Sequence, residues 1–405
     1  MGNLARLGLS GFALLATGFM TIAGIAPGKT AGSVSEAAES SQDSFRVLAP
    51  IESGNLLLFP VVRSAKTTGT SPFLTLDEGI KSGLVEVTEA GKVRGLVRPR
   101  PVPPVPYDTP GQQHREYRGD QVNTLVLVNN SDKPLLLLAG EIVTGGKQDR
   151  VIAKDRIVPS GSDPVDLGVF CIEPGRWTED SATFGVSAKA PAGSFMVQPN
   201  VREKAMVAKD QHEVWASVSD SVNQIAAAAS PAAPASGGSR STLNTTSYAR
   251  AMQDSNLSAK VDEAAAPVMK SREQVLAQLR QQHAVGVAVA VRGEIVWADI
   301  FADTDLLARY WTKLVRSYAA ESLLAGGTDT KPSVSEAQHF LDTPSKGSET
   351  SDGRVGIYRY RELRSDSTET FVLESLLPGT NYEVHISKLK LRGGLRRTTS
   401  PQIYR

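Results

Sequence analysis

Residues 285–318 read VGVAVAVRGEIVWADIFADTDLLARYWTKLVRSY, and this stretch decides the fold class. Residues 285–291 form a run of small and β-branched apolar side chains of strand length. Arg292-Gly293 supplies a turn, and residues 294–301 return as a second strand. Thr304 stands where a helix cap belongs. Behind it Leu306, Leu307, Tyr310, Trp311, Leu314, Val315 and Tyr318 make an apolar stripe at three- and four-residue spacing. Strand, turn, strand and amphipathic helix in one segment point to an α+β fold.

Upstream, residues 273–283 read as another helix, and residues 226–241, rich in Ala, Pro, Gly and Ser, as a linker or surface loop. Val201, Ala205, Ala208, Val214, Trp215 and Val218 fall near helical spacing. The N-terminal half is mostly sheet. Residues 56–62 are a buried strand, residues 74–83 a short helix with Asp77 and Glu78 near its start and Gly83 at its end, and residues 84–87 a strand. Pro101, Pro103, Pro104, Pro106 and Pro110 make residues 99–111 a loop. Residues 122–128 and 135–143 are expected as two strands of a hairpin joined by the turn residues 129–134. Residues 151–152 and 165–172 extend the β region, and two or three more strands lie between residues 354 and 391. No solenoid-period repeat is present. The expected architecture is a β-rich N-terminal half, an antiparallel or mixed sheet, packed with helices and a β-hairpin from the C-terminal half.

One cation, Arg6, precedes an uncharged run over residues 7–26, the pattern of a secretory signal. Residues 1–32 are expected to be that signal, 33–44 a flexible leader and 393–405 a tail. An uncleaved anchor is the alternative, since about 20 apolar residues span a bilayer. No later segment is apolar enough to cross a membrane. Exported, the protein would be periplasmic or extracellular. With 44 Lys and Arg against 43 Asp and Glu, no electrostatic attraction to nucleic acid is expected. Cys171 is the lone cysteine, which excludes a disulfide framework and thiolate metal clusters.

The densest polar cluster follows the apolar residues 135–139: Gly140, Glu141, Gly145, Gly146, Lys147, Gln148, Asp149 and Arg150. Two glycines let the backbone approach a ligand. Lys147 and Arg150 could hold an anion, and Glu141 and Asp149 could act as acid, base or acceptor. The spacing is not that of a P-loop, and the alternative is a tight turn with solvated charges. A second cluster, Glu173, Arg176 and Trp177, ends a strand on which Val165, Leu167, Val169 and Cys171 share one face. Trp177 could stack on a ring or sugar face. Cys171 has no His close in sequence to activate it and reads as a small core residue. His212 and Glu213 lack the second His of a zincin, and His114, His283, His339 and His385 show no metal-ligand spacing. Asp299, Asp303 and Asp305 do not fit an EF-hand loop, and Asp305 suits a helix start. No metal site, cofactor or dinucleotide motif is expected.

The segments 137–150 and 170–177, together with 286–301 and 311–319, resemble the ARPP-1 family, whose name stands for ARG and Rhodanese-Phosphatase-superfamily-associated protein domain. The resemblance runs from residue 45 to 392. It implies one domain, with residues 226–241 as an internal loop. The family name hints at ADP-ribosyl or phosphatase neighbours, and the resemblance carries no activity over. Three functions remain open at this level. The first is a ligand-binding module of the bacterial cell envelope, binding a small molecule or an envelope component through the cluster just described. The second is a hydrolase of phosphorylated, ADP-ribosyl or glycosidic substrates using Glu141, Asp149 or Glu173. The third is an envelope scaffold whose polar clusters hold turns together.

Overall fold

In a computed structural model, the chain is described over residues 45–63, 71–89, 92, 124–174, 181, 183–185, 195–229, 245–328 and 330–391. The expected signal, leader, proline-rich loop and tail lie outside these residues, as do Arg176, Trp177 and His114. The fold is α+β. The hairpin expected over residues 285–301 is present: β13 (Ala284–Val291) pairs antiparallel with β14 (Glu294–Phe301). It forms the middle of an antiparallel nine-stranded sheet. β3 (Leu56–Arg63), flanked by β1 (Phe45–Val47) and β2 (Ile51–Ser53), lies on one side. On the other side follow β18 (Glu383–Lys390), β17 (Thr368–Ser375), β16 (Tyr358–Arg364) and β15 (Ser348–Arg354).

A closed six-stranded barrel stands beside it. Its strands run in the order β11 (Val165–Cys171), β6 (Thr124–Asn129), β5 (Val85–Glu89), β12 (Thr183–Gly185), β8 (Ile142–Gly145), β9 (Arg150–Ile152). A third, small sheet joins β10 (Arg156–Val158), β7 (Leu135–Leu137) and β4 (Leu74–Thr75). The expected hairpin between residues 122–128 and 135–143 does not form. β6 pairs with β5 and β11, whereas β7 pairs antiparallel with β10 and parallel with β4. The segment 135–143 is also two strands, because Gly140 turns the chain at φ +94°. The leucine run has no polar alternation because both faces are covered. Leu135 and Leu137 belong to the barrel core, and Leu136 and Leu138 to the main core.

Helix α1 (Leu76–Lys81) is held by a capping box between Thr75 and Glu78. α2 (Pro199–Glu203) runs through a π-helical turn to Lys209 at φ 53°, then α3 (Gln211–Ala229) begins. The expected loop at 226–241 therefore starts later, since the strong helix former Ala continues α3 through Ala229. α4 (Tyr248–Ala251), α5 (Ser255–Lys270) and α6 (Arg272–Gln281) lead back to β13. α7 (Thr304–Ser322) carries the apolar stripe, every member of it buried. Each Leu or Val so buried stabilises by roughly 1.5–3 kcal/mol. Its cap is Asp303, whose side chain accepts from Leu306 N–H at 2.7 Å, and not Thr304, whose hydroxyl donates to Ala284 O at 2.6 Å. α8 (Val334–Asp342) packs near β1 and β14.

Candidate functional site

The barrel interior is apolar for most of its depth: Val85, Val87, Leu125, Leu127, Val143, Ile152, Leu167, Val169 and Phe184 fill it. Side chains two apart on a strand share a face. One step further along the same faces stand Glu89 on β5, Arg150 on β9, Cys171 on β11 and Gly145 on β8. The barrel thus ends in a polar layer, all of whose side chains are buried: Glu89 at 2 %, Arg150 at 1 % and Cys171 at 0 % exposure. Cys171 and Arg150 are register partners. Arg150 Nη2 lies 3.8 Å from Glu89 Oε1, and Arg150 Nη1 donates to Gln148 O at 2.6 Å. Burial pushes the Cys171 thiol up to about 11, with Arg150 pulling it down and Glu89 pushing it up. A thiol so placed is protonated at neutral pH and is not a nucleophile.

Residues 145–148 turn over this layer. Gly145 has φ +125° and Gly146 φ +54°, and a Cβ on Gly146 would come 2.2 Å from the Phe184 ring. The glycines are thus required by backbone geometry and by the ring beneath. The turn's N–H groups point to acceptors. Gly145 N–H donates to Asp149 Oδ1 at 3.1 Å, Gly146 N–H to Ser181 Oγ at 3.3 Å and Lys147 N–H to Glu89 Oε1 at 3.4 Å. Lys147 is half-buried. Gln148 is wholly buried; its Oε1 accepts from Arg150 Nη1 at 3.5 Å, and its Nε2 donor has no partner. An unsatisfied buried donor costs about 1–3 kcal/mol.

Asp149 and Glu173 stand together behind the turn. Asp149 N–H donates to Glu173 Oε2 at 3.2 Å, and the Ser247 hydroxyl donates to Asp149 Oδ2 at 2.7 Å. Ser247 caps α4 by accepting from Arg250 N–H at 3.1 Å, and Arg250 Nε lies 3.8 Å from Glu173 Oε1. Gln211 braces Cys171, donating to its carbonyl at 2.8 Å and accepting from its N–H at 2.9 Å.

The two remaining residues of the expected cluster lie elsewhere. Glu141 accepts from Leu138 N–H at 2.7 Å and from Lys313 Nζ at 2.6 Å, and Lys313 also donates to Asp77 Oδ1 at 2.9 Å. Burial raises the Glu141 carboxyl, against the pull of Lys313. Gly140 makes room for Arg202, since a Cβ there would come 2.6 Å from Arg202 Cγ. So Asp149, Arg150, Gln148, Lys147 and the two turn glycines share one site with Glu173, while Glu141 and Gly140 serve contacts with α7 and α2. Glu89 and Ser247 complete the site and were not read from the sequence.

Arg202 belongs to a second buried network. Its Nη1 and Nη2 grip both oxygens of Asp299 at 2.8 and 2.9 Å, with the Tyr318 hydroxyl and Ser387 also on that carboxylate. His385 stands between Asp155, 2.6 Å from its Nδ1, and Asp299, 3.2 Å from its Nε2. Burial opposes the charge on each group, but the ion pairs prevail. Arg202 holds Asp299 well below the carboxylate range, and Asp155 lifts His385 to about 9. Asp299 is thus an internal counter-ion, apart from the helix cap Asp303 and from Asp305, which faces Arg280 at 3.5 Å. Among the described residues no group of three or more His, Cys, Asp or Glu is arranged to hold a metal ion. No helix of the described residues is long and apolar enough to cross a membrane.

The family model of the ARG and Rhodanese-Phosphatase-superfamily-associated Protein domain matches residues 44–389. No curated protein and no solved structure matches the chain.

Proposed function

The chain belongs to the ARPP-1 family, and on that footing we propose that it is a ligand-binding module whose site is the polar mouth of the six-stranded barrel. Barrel mouths are common ligand sites, apolar in depth with a few converging polar groups. The anionic group of a small molecule would lie against Lys147, Arg150 and the turn N–H groups. The observation that carries this reading is Gln148: a fully buried amide donor left without a partner beside a buried guanidinium. A donor kept there at a cost in stability suits a molecule that accepts from it. The charged start and apolar run of residues 1–26 favour export to the cell envelope, which fractionation of the producing cell tests.

Thermal-shift screening against inorganic phosphate, citrate and sugar phosphates, followed by calorimetry, tests the site. Gln148→Leu removes the unpartnered donor, so it should melt at the wild-type temperature or above it. The same change, and Lys147→Ala, should weaken binding about tenfold or more. A ligand bound tightly by wild type and equally by both variants would sink the assignment. A hydrolytic reading draws on the adjacency of Asp149 and Glu173. It is the weaker one, because Asp149 already accepts from Gly145 N–H and from the Ser247 hydroxyl, a bracing role.

A further inference from the structure

Glu89 is a strand-end carboxylate turned into the barrel. Its oxygen Oε1 lies 3.4 Å from Lys147 N and 3.8 Å from Arg150 Nη2. Charge-assisted hydrogen bonds run at about 2.7–2.9 Å, so both contacts are loose. They are its polar contacts among the described residues, for a side chain only 2 % exposed. Facing it is a turn with two successive positive-φ glycines. Turn N–H groups of this kind form concavities that seat anions. Here those N–H groups are filled by Asp149 at 3.1 Å, Ser181 at 3.3 Å and Glu89 at 3.4 Å. The Gln148 Nε2 donor, whose amide oxygen accepts from Arg150 Nη1 at 3.5 Å, is not satisfied by Glu89.

We infer that Glu89 is an internal occupant of the anion seat, and that the site takes an oxyanion-bearing small molecule, carboxylate or phosphate, by displacing that side chain. This rests on the proposed binding site and adds its regulation. Glu89 acts as a specificity element. It keeps the seat filled when no ligand is present, and it rejects an anion too weak to push it out. An oxyanion with more oxygens than a carboxylate could reach Lys147 N–H, Arg150 and Gln148 Nε2 together, which Glu89 from its strand end does not. While Glu89 remains, its charge repels the incoming anion at short range, where the interaction of unit charges is strong.

The test is calorimetric titration of the full chain with inorganic phosphate and with citrate, in wild type and Glu89→Gln. Unliganded melting curves check the fold. The carboxamide keeps the shape and removes the charge, so affinity for at least one probe should rise about tenfold or more, and Gln148→Leu added to Glu89→Gln should reverse the gain. If Glu89→Gln melts early, Glu89→Asp, which withdraws the carboxylate by one methylene, takes its place and should tighten binding in the same direction. A folded variant with unchanged or weaker affinity overturns the role of Glu89. If wild type still binds through Lys147 and Gln148, the binding site stands without that role. If no probe binds to wild type or to either variant, the site and the inference fall together.

Discussion

Arg150 and Arg202 are both fully buried guanidiniums, and their surroundings separate structure from site. Arg202 grips both oxygens of one carboxylate in the forked geometry that arginine matches best. It also lies over the Trp297 ring at 4.4 Å. Arg150 donates to the Gln148 carbonyl at 2.6 Å and faces its carboxylate, Glu89, only at 3.8 Å. His385 gives the Arg202 network a pH signature. Its folded value is raised to about 9 from 6.5, so the folded protein keeps a proton that the unfolded chain releases. That stability is fully present below pH 6.5 and is lost as pH rises through 9. Lys388, lowered by burial to about 8, acts with the opposite sign, and only above pH 8. Between pH 6.5 and 8 the His385 contribution should therefore fall by about 1.4 kcal/mol per pH unit. Urea unfolding across that range should show the slope in wild type and lose it in His385→Gln. Equal slopes in the two proteins would show that His385 is not the group responsible.

At the level of elements, α7 shows how close neighbours compete for one role. Asp303 and Thr304 both suit a cap, and the chain uses Asp303 because its β-region backbone turns the carboxylate onto Leu306 N–H. Asp303→Ala should cost about 1 kcal/mol in chemical denaturation. Thr304→Ala should cost less, since it removes only the bond to Ala284 O; the reverse order would reassign the cap. The hairpin 284–301 and the α7 stripe were legible because their periodicities are local. The leucine run 135–138 was not, because burial of both faces erases the alternation that would set register. α5 also gave little signal. Its buried face is only Leu257, Val261, Ala265 and Val268, and Pro267 sits inside it. Within the site, Cys171 and the turn 145–150 were legible from alternation and from glycine. Glu89 follows the alternating Val85 and Val87, which places it inward, and nothing local announces a carboxylate at the end of an apolar barrel face. Ser247 reaches Asp149 across 98 residues, a relation no local pattern carries. Glu141 and Gly140 looked like site residues because they lie beside the turn in sequence, yet the break after Leu138 sends them toward α7 and α2.

Across the whole described fold, the barrel and the large sheet are joined by buried charge. Asp155, between β9 and β10, accepts from Ala139 N–H at 2.7 Å and meets His385 of β18. Asp299 of β14 draws in α2 through Arg202 and α7 through Tyr318. Every charged group of this network meets an opposite charge within 3.2 Å, whereas the barrel mouth holds a carboxylate 3.8 Å from its guanidinium, with an unpaired amide donor beside it. The contrast is what supports the proposed binding site at the mouth. Hydrogen exchange of the full chain, with and without saturating inorganic phosphate or citrate, tests it most directly. Slowed exchange is expected in peptides covering residues 142–152, with no change in those covering residues 383–390. Slowing confined to the 383–390 strand, or none at 142–152 while a probe is bound, would contradict a site at the barrel mouth.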